Sequence, residues 1–309
     1  MHKKIVVVGS LNMDLVVNTR KIPVTGETVL GYGFMSVPGG KGANQAVAAA
    51  RLGGNVSMIG CVGNDTFGHS LIKNLAENNV NTDNIIILDK SSSGIAVVVI
   101  KDGNNFIIVD PGANAGLTVE MLENLEELIK GSDILIAQLE IPVQTVEKAI
   151  QIAKKHNVKV ILNPAPASKL SDEVLSNVDI ITPNESECEL LTGMPIYDVE
   201  DAKAAVLYFN RKGISQVVVT LGSKGVVYNS SNGIIHKGVP DVKVVDTTAA
   251  GDSFTGSLAF QLAEGMDIDT AVDFANAVGT LTVMKKGAQT SLPFRHEVED
   301  LIYHLPFQG

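Results

Sequence analysis

The segment VVDTTAAGDSF, residues 244–254, places an acidic residue directly after a run of small residues. Apolar residues recur at helical spacing beyond it, so the segment predicts a helix whose first turn carries Asp252. The N-terminus of a helix exposes unpaired N–H groups and carries roughly half a positive charge. Ala249, Ala250 and Gly251 would let an anion reach those groups, with Asp252 beside it. The pattern predicts phosphoryl transfer to an alcohol, with these small residues as the anion hole and Asp252 as the catalytic base.

A carboxylate in a first helical turn is also common as a simple partner of the helix dipole. That alternative accounts for Asp252. It accounts neither for the small residues before it nor for a second acid upstream, Asp246.

The segment PGGKGANQAVAAARLG, residues 38–53, is a second glycine-rich entrance to a predicted helix. Glycines at a helix N-terminus leave a concave array of N–H donors open to a ligand. The segment does not fit the phosphate-loop pattern GxxxxGK[ST]. Lys41 and Asn44 instead offer a cation, a donor and an acceptor that suit a hydroxylated ligand. Tight packing of the helix is the alternative explanation for the small residues.

Two polar side chains follow the first predicted strand in GSLNMD, residues 9–14. Asn12 and Asp14 are two residues apart, so in an extended chain they point the same way. Together they can bind adjacent hydroxyl groups of a sugar. An ordinary Asx turn is the alternative.

Two further polar segments follow predicted strands. In TPNESE, residues 182–187, Asn184 and Glu187 either form a helix capping box or organise phosphate, water and a magnesium ion. In TLGSKG, residues 220–225, the glycines would let a ligand approach the backbone. That segment is predicted at the carboxyl end of a strand, where ligands bind in open parallel sheets. A plain turn is the alternative there.

Apolar runs alternate with segments of helical period along most of the chain. The runs are apolar on both faces, which is typical of a parallel sheet covered by helices on both sides. The sequence therefore predicts an α/β fold with a central, mostly parallel sheet. The predicted strands are 5–10, 56–63, 133–139, 158–163, 178–184 and 216–222. The predicted helices are 44–52, 67–79, 143–156 and, approximately, 250–264, 268–285 and 294–303.

A second, smaller sheet is predicted apart from the first. Residues 15–37 lack a helical period, and two apolar runs farther on flank Asp102-Gly103, a strong hairpin signal. We expect a small antiparallel sheet, formed by about 15–37 and 94–110, that serves as a lid over a cleft. Because this sheet is apolar on both sides, it also suggests a dimer contact. No linker divides the chain, so residues 1–309 are expected to form a single domain.

Charge and composition argue against several classes of function. Lys and Arg total 24 against 34 Asp and Glu, and the resulting formal charge of −10 argues against nucleic-acid binding. No run approaches the roughly 18 apolar residues of a membrane span. Cys61 and Cys188 lie far apart without a CxxC pattern, which fits neither a disulfide framework nor a zinc site. We therefore expect a cytoplasmic protein with no nucleic-acid partner and no membrane partner.

Two long segments, GGKGANQAVAAARLG and DTTAAGDSFTG, resemble the two signatures of the ribokinase-like carbohydrate kinases. SLNMD, QLEIP, TPNESE, TLGSKG and KKGAQTSLP match as well, in the expected order and over essentially the whole chain. The resemblance implies an ATP-dependent kinase that phosphorylates the 5-hydroxyl of D-ribose. It also implies a three-layer α/β/α sandwich with a small β-sheet lid that joins a homodimer.

The resemblance implies a role for each matching residue. Asp252 would be the catalytic base and residues 249–251 the anion hole. The sugar would contact Asn12, Met13, Asp14, Gly40, Lys41, Gly42, Ala43, Asn44, Glu140 and Asp252. ATP would contact Asn184, Thr220, Leu221, Gly222, Ser223, Lys224, Gly225, Gly251 and Asn276, with Asn184 and Glu187 organising phosphate and Mg²⁺. A monovalent cation, usually K⁺ in this family, would be bound by Asp246, Thr248, Thr282, Lys285, Gly287 and Ser291, several of them through their carbonyls.

Three alternatives to this function remain at the level of sequence. A sister kinase could act on a deoxyribose, another sugar or a nucleoside, although a phosphosugar substrate would call for more basic residues near Asn12 and Lys41. A sugar sensor without activity is disfavoured by the intact Asp252 and glycine-rich entrance. A nicotinamide-dependent oxidoreductase is disfavoured because no GxGxxG follows the first strand.

Overall fold

The computed structural model describes residues 3–102 and 104–304 of the chain. The strands in this part of the chain are β1 (Lys4–Val8), β2 (Asn12–Thr19), β3 (Gly31–Gly39), β4 (Asn55–Gly63), β5 (Val80–Asn81), β6 (Ile85–Leu88), β7 (Gly94–Lys101), β8 (Asn104–Asp110), β9 (Ile134–Ala137), β10 (Lys159–Leu162), β11 (Ile180–Ile181), β12 (Gln216–Thr220), β13 (Val226–Ser230) and β14 (Gly233–Lys237).

The helices of the described residues lie between these strands and at the C-terminal end. They are α1 (Lys41–Arg51), α2 (Thr66–Glu77), α3 (Val119–Glu123), α4 (Glu126–Lys130), α5 (Val143–Lys155), α6 (Asp172–Leu175), α7 (Glu185–Thr192), α8 (Val199–Arg211), α9 (Ala250–Ala263), α10 (Ile268–Val283) and α11 (Arg295–His304).

Ten strands form one sheet in the order β14-β13-β12-β11-β10-β9-β1-β4-β5, with β6 also paired to β4. All neighbours from β12 to β5 run parallel, and only β13 and β14 are antiparallel additions at one edge. The prediction of a central, mostly parallel sheet is therefore confirmed.

Strand β1 explains why this sheet has helices on both faces. Ile5 and Val7 belong to one hydrophobic core, whereas Val6 and Val8 belong to a second core on the opposite face. The first core contains side chains of α1, α9 and α10, and the second contains side chains of α5 and α8. A strand buried on both faces cannot alternate between polar and apolar residues, which is why the sequence IVVV is continuously apolar.

The small sheet has four strands in the order β3-β2-β7-β8. Its two outer pairings are antiparallel, as predicted, and β7 and β8 form the expected hairpin. Gly103 of the predicted turn lies outside the described residues. The prediction of a wholly antiparallel sheet was wrong, because the central pair of β2 and β7 is parallel. A long crossover through the large sheet separates these two strands in sequence, and such a connection can bring the chain back in the same direction.

Several polar residues follow directly on parallel strands of the large sheet. Gln138, Asn163 and Thr182 come immediately after β9, β10 and β11, and Thr220 ends β12. Carboxyl ends of parallel strands meet at one edge of a sheet, where ligand sites form. This edge carries the candidate site.

The single-domain organisation stays a prediction, and no described helix is both long and apolar enough to cross a membrane.

Candidate active site

A cleft of about 180 Å³ opens at the carboxyl edge of the large sheet. It brings together residues from α1, the ends of β10 to β12, the start of α7 and the start of α9. Its lining residues are Lys41, Asn163, Ala165, Thr182, Asn184, Glu187, Thr220, Thr247, Ala249, Ala250, Gly251 and Asp252. Segments far apart in the sequence, predicted separately to bind a hydroxylated ligand and a phosphate, therefore share one cavity.

Asp252 lies in the first turn of α9 and is only 6% exposed. Both of its carboxylate oxygens accept hydrogen bonds from side-chain amides of α1. Asn44 Nδ2 donates to Oδ2 at 2.9 Å, and Gln45 Nε2 donates to Oδ1 at 2.9 Å. A dipole partner at a helix start needs neither burial nor such bonds, so the simple alternative for Asp252 is insufficient.

The backbone before Asp252 has an unusual conformation. Ala249 is the N-cap of α9 and has a left-handed backbone, with φ of 60°. The other described non-glycine residues with positive φ are Asn or Asp, which tolerate that region, whereas an alanine there is uncommon. A Cβ at Gly251 would meet no protein atom within 4 Å, so packing does not require a glycine there. Ala249, Ala250 and Gly251 line the cleft at the start of α9, where helix N–H groups lack intrahelical acceptors. The main-chain N of Ala250 donates to the Thr247 carbonyl at 3.3 Å.

Three donors converge on Glu140 beside the cleft. Its Oε2 accepts from the main-chain N of Lys41 at 3.0 Å, from Ser10 Oγ at 2.5 Å and from Asn12 Nδ2 at 3.4 Å. Asn12 is buried and also accepts from Asn114 Nδ2 at 2.7 Å. These bonds hold the end of β1, the start of β2 and the start of α1 in one rigid corner.

Asp14 faces the same corner. Burial, reinforced by the charges of Glu140 and Asp252, raises the pKa of Asp14 to about 7, although Lys41 works against the shift. Burial lowers the pKa of Lys41, but the charges of surrounding carboxylates outweigh it and leave that pKa above its usual value. Among the residues predicted to contact the sugar, Met13 and Ala43 have side chains that pack in the hydrophobic core. Gly40 has φ of 89° and packs against the backbone of Asn12, so it needs to be glycine for structural reasons.

Asn184 and Glu187 form the capping box that the sequence offered as the plainer alternative. Asn184 Oδ1 accepts from the main-chain N of Glu187 at 2.9 Å, and Glu187 Oε2 accepts from the main-chain N of Asn184 at 2.9 Å. Both residues nevertheless line the cleft. Burial raises the pKa of Glu187, while the Asn184 hydrogen bond and the charge of Lys41 work against it.

Of the rest of the predicted ATP set, Thr220 and Gly251 line the cleft, and the other residues lie apart from its lining. Gly222, Ser223 and Lys224 form an exposed turn after β12. Gly225 packs against the backbone of β14, which explains this glycine without a ligand. Leu221 is buried in the core. Asn276 is buried on α10, and its Nδ2 has no hydrogen-bond partner.

The predicted cation ligands lie on two segments that Asp246 ties together. Its Oδ1 accepts from the main-chain N of Thr248 at 2.9 Å and from Thr248 Oγ1, and its Oδ2 accepts from the main-chain N of Gly287 at 2.9 Å. Burial alone would raise the pKa of Asp246, but these hydrogen bonds and Lys286 keep it below its usual value. The Thr282 carbonyl accepts from the main-chain N of Lys285, and the buried Ser291 hydroxyl donates to the Ala288 carbonyl. The segment that precedes Ala249 is thereby anchored to the end of α10 and the residues that follow it.

Sequence reasoning missed several polar residues around Asp252. They are Ser10, Gln45, Asn114, Gln138, Asn163, Thr182 and Thr247. Gln138, Asn163 and Thr182 come directly after parallel strands, so their position at the carboxyl edge was a usable signal. Gln45 had a different signal, because it is a polar residue next to Asn44 in an alanine-rich helix.

The sequence and the structure resemble known sugar kinases over almost their full length. Residues 2–295 match the model of the pfkB family carbohydrate kinases. A ribokinase of Haemophilus influenzae is 44% identical over 98% of this chain and 100% of its own length. A deoxyribokinase of Salmonella typhi is 37% identical over 94% of this chain and 95% of its own length. A ribokinase of Arabidopsis thaliana, solved with ribose and ATP, superposes with a TM-score of 0.92 at 35% identity, covering 98% of this chain and 99% of that one.

These matches extend beyond the two signature segments to the complete arrangement of sheets and helices. They also account for the shared cleft between the glycine-rich start of α1 and the small residues at the start of α9. The chain belongs to the pfkB family of carbohydrate kinases and has the ribokinase-like α/β fold.

Proposed function

We infer that this protein transfers the terminal phosphoryl group of ATP to the 5-hydroxyl of D-ribose. The observation that carries the proposal is that Asp252, which lines the cleft, lies between two groups of residues predicted to bind different ligands. On one side lie the hydroxyl-binding groups of Asp14, Asn44 and Glu140, and on the other lies the open N-terminus of α9. Ribokinases are prominent among the relatives, which favours ribose as the sugar.

The buried oxygen of Asn44 supports a hydroxylated substrate. Its Nδ2 is engaged by Asp252, whereas its Oδ1 is buried without a partner. An unpaired buried acceptor is costly, so a ligand that donates a hydrogen bond to it gains affinity. A sugar hydroxyl is such a donor, and Asp14 offers a second acceptor in the same corner.

The chemistry assigned to the residues is a direct in-line displacement. The 5-hydroxyl oxygen attacks the γ-phosphorus, the new O–P bond forms, and the bond from the γ-phosphorus to the β,γ-bridging oxygen breaks to release ADP. Asp252 accepts the hydroxyl proton as the bond forms. The N–H groups at the start of α9 stabilise the negative charge on the transferring group.

Mg²⁺ fits this site as an ion carried largely by the nucleotide. No group of three acidic, histidine or cysteine side chains suited to a metal occurs among the described residues. Mg²⁺ commonly binds through substrate phosphates, waters and one or two carboxylates, and Glu187 is the carboxylate of the cleft lining other than the proposed base Asp252. When bound, the ion would neutralise phosphate charge.

K⁺ fits the segments tied by Asp246, because the predicted donors are all oxygen atoms. They comprise the Asp246 carboxylate, the Ser291 hydroxyl and the carbonyls of Thr248, Thr282, Lys285 and Gly287. A bound monovalent cation would add positive charge beside the anion hole. Hydrogen bonds of Asp246 to the main-chain N–H groups of Thr248 and Gly287 already hold residues 246–248 in place. We therefore propose the cation as an activator of a preformed loop.

The small sheet is proposed as a lid over the sugar site and as the contact between two copies of the chain. Strands β2 and β7 belong to it, and Asn12 and Asp14 lie at the start of β2. Phe34 is 66% exposed and Ile108 is 71% exposed, and further large apolar residues of β3 and β8 are exposed beside them. A second copy would cover this apolar surface.

A coupled assay of ADP release tests the proposed function. The panel comprises D-ribose, 2-deoxy-D-ribose, D-fructose and adenosine, each with K⁺ or with Na⁺ as the only monovalent cation. We expect the largest kcat/KM for ribose and a lower rate in Na⁺. No ATP-dependent turnover of any hydroxylated substrate would overturn the proposal, and equal rates in both cations would remove K⁺ from it.

A deoxyribose kinase is the second candidate, because a deoxyribokinase is among the full-length relatives. The two functions differ by one hydroxyl group of the substrate. A site built to bond that hydroxyl rejects the deoxy analogue strongly, since its polar partners would be left unpaired. A larger kcat/KM for 2-deoxyribose in the same panel would select this second function.

A further inference from the structure

A chain of buried side-chain amides contacts the Asp252 carboxylate. Gln45 Nε2 donates to Asp252 Oδ1 at 2.9 Å and to Asn163 Oδ1 at 3.0 Å. Gln45 Oε1 accepts from Gln138 Nε2 at 2.6 Å. Gln45 and Gln138 are both 0% exposed, and neither lines the cleft.

The direction of these hydrogen bonds is fixed by a main-chain group. The Thr182 carbonyl can only accept, and Asn163 Nδ2 donates to it at 3.0 Å. Asn163 therefore presents its Oδ1 to Gln45, which must in turn present its NH₂ group. The same NH₂ group meets Asp252, while Gln138 occupies the Gln45 oxygen. A flipped Gln45 would set its oxygen against two acceptors, so the network allows one arrangement.

Gln45 and its neighbour Asn44 differ in whether a polar side-chain atom remains without a protein partner and could bind a ligand. Asn44 keeps an unpaired buried oxygen that faces no protein donor. Every polar atom of the Gln45 side chain is bonded to protein groups. Gln45 thus has a bond to the proposed base but no atom offered to the sugar.

We propose that Gln45 is the positioning residue for the general base, holding the Asp252 carboxylate in one orientation and in its anionic form. The proposal rests on the function proposed above, in which Asp252 accepts the proton of the hydroxyl. An N–H donor to a carboxylate favours the charged state, and the charged state is the one that can take a proton. The fixed position of Oδ1 also limits rotation of the carboxylate, which keeps its oxygens aligned with the attacking hydroxyl.

Other charges act on the same carboxylate and stay in place when Gln45 is changed. Lys41 on α1 attracts it, and Asp14 on β2 and Glu187 on α7 repel it. Glu140, which follows β9, contributes to the field of the same corner. A change in the pH dependence of Gln45→Met would therefore report the lost amide donor, because the variant removes no charge.

The test is the pH profile of kcat for Gln45→Met, which keeps the length and volume of the side chain and removes the donor. We expect kcat to fall roughly 10- to 100-fold at neutral pH, the size expected for loss of a hydrogen bond to a charged group. The acid limb of the profile should move to higher pH. The dissociation constant for ribose, measured calorimetrically without ATP, should stay within about threefold of the parent value, because Gln45 offers no atom to the sugar.

Two further variants keep the proposal falsifiable. Gln138→Met removes the donor that orients Gln45, and it should shift the profile the same way by a smaller amount. Thr145→Val, on α5, removes a buried hydrogen bond that the Thr145 hydroxyl donates to the Leu117 carbonyl. This variant should leave the pH profile unchanged. If Gln45→Met does not fold, the pH profile of kcat for Gln138→Met alone tests the proposal. A parental acid limb and parental kcat in the folded variants would overturn the proposal.

Asp252→Asn in the same assays separates this proposal from the one on which it rests. An inactive Asp252→Asn with a normal Gln45→Met would reject the positioning role and keep the base. An active Asp252→Asn would reject the base itself.

Discussion

At the scale of single residues, Lys41 of the cleft lining is one cation among several acids. Lys41 interacts with Asp252, Glu140, Glu187 and Asp14. Each of these carboxylates is in a different segment of the chain, so the fold gathers negative charge around one ammonium group. The pKa values of two of them, Asp14 and Glu187, are raised, and carboxyl groups with a shifted pKa are typical of a functional site.

Asp14 gives the first prediction, which concerns pH. Its pKa is raised to about 7, so it becomes protonated as the pH falls below that value. Sugar hydroxyls donate to the charged carboxylate, and binding below about pH 7 must therefore release a proton. We expect the affinity for ribose to weaken as pH falls, by up to about tenfold per pH unit. Calorimetry without ATP between about pH 5 and pH 9 measures it.

Asp14→Asn provides the control for this prediction. The amide does not titrate, so the variant should bind ribose weakly and with a flat pH dependence. An affinity of the parent protein that is constant across the range would contradict the assignment of Asp14 to the sugar.

Lys41 gives the second prediction. Lys41→Met keeps the apolar stem and removes the charge, which leaves the surrounding acids without their cation. We expect the dissociation constant for ribose to rise roughly 10- to 100-fold, since a charged hydrogen-bond donor is lost. Lys148→Met on α5, which removes an ion pair with Glu123 far from the cleft, should have no effect. A loss confined to ATP affinity would move Lys41 to the nucleotide.

Sequence patterns predicted the individual acids and amides better than their partners. Asp252 and Asn44 were predicted from their places in glycine-rich entrances, and their contact joins residues more than two hundred positions apart. Gln45 was not predicted, because a polar residue in an alanine-rich helix can mark a buried contact without showing which group it contacts. The capping box of Asn184 was predicted only as one of two possibilities, and the structure contains it while leaving both residues at the cleft.

At the scale of elements, the contact between α1 and α9 sets the distance between the glycine-rich start of α1 and the small residues at the start of α9. Gly256 on α9 lies against α1, and a Cβ there would come within 2.5 Å of the Gln45 carbonyl oxygen and 2.9 Å of Ala48 Cβ. The small residues that suggested tight packing in the sequence are therefore explained by helix contact as well as by ligand access.

The third prediction compares two helical glycines. Gly256→Ala should destabilise the protein by about 1–3 kcal/mol, because α1 and α9 must move apart. Gly279→Ala on α10 meets no atom within 4 Å and should stabilise it by up to about 1 kcal/mol through helix propensity. Urea unfolding measures both. Equal shifts for the two variants would contradict the tight packing of α1 on α9.

The central strands of the large sheet, β1, β4 and β9 to β12, were predictable because buried parallel strands are continuously apolar. The parallel pairing of β2 with β7 was not predictable, because a hydrophobic pattern carries no information about how distant strands pair. Ends of elements also differed, as in β11, which spans Ile180–Ile181 inside a longer predicted run.

At the scale of the whole molecule, the small sheet exposes the largest number of bulky apolar side chains near the site. The fourth prediction is that Ile108→Asp, on β8, weakens self-association by placing a charge in the proposed contact. Sedimentation velocity should show a shift from dimer toward monomer. Leu207→Asp, on the exposed face of α8, is the matched control and should not change the mass. A parent protein that is monomeric at micromolar concentration would contradict the dimer.

The central claim is tested most directly by Asp252→Asn, measured for ribose binding by calorimetry and for turnover by ADP release. The account predicts that the affinity for ribose changes by no more than about tenfold, while kcat falls by roughly 10²- to 10⁴-fold, the contribution of a general base. Turnover close to that of the parent protein would contradict it, because a group other than Asp252 would then take the proton.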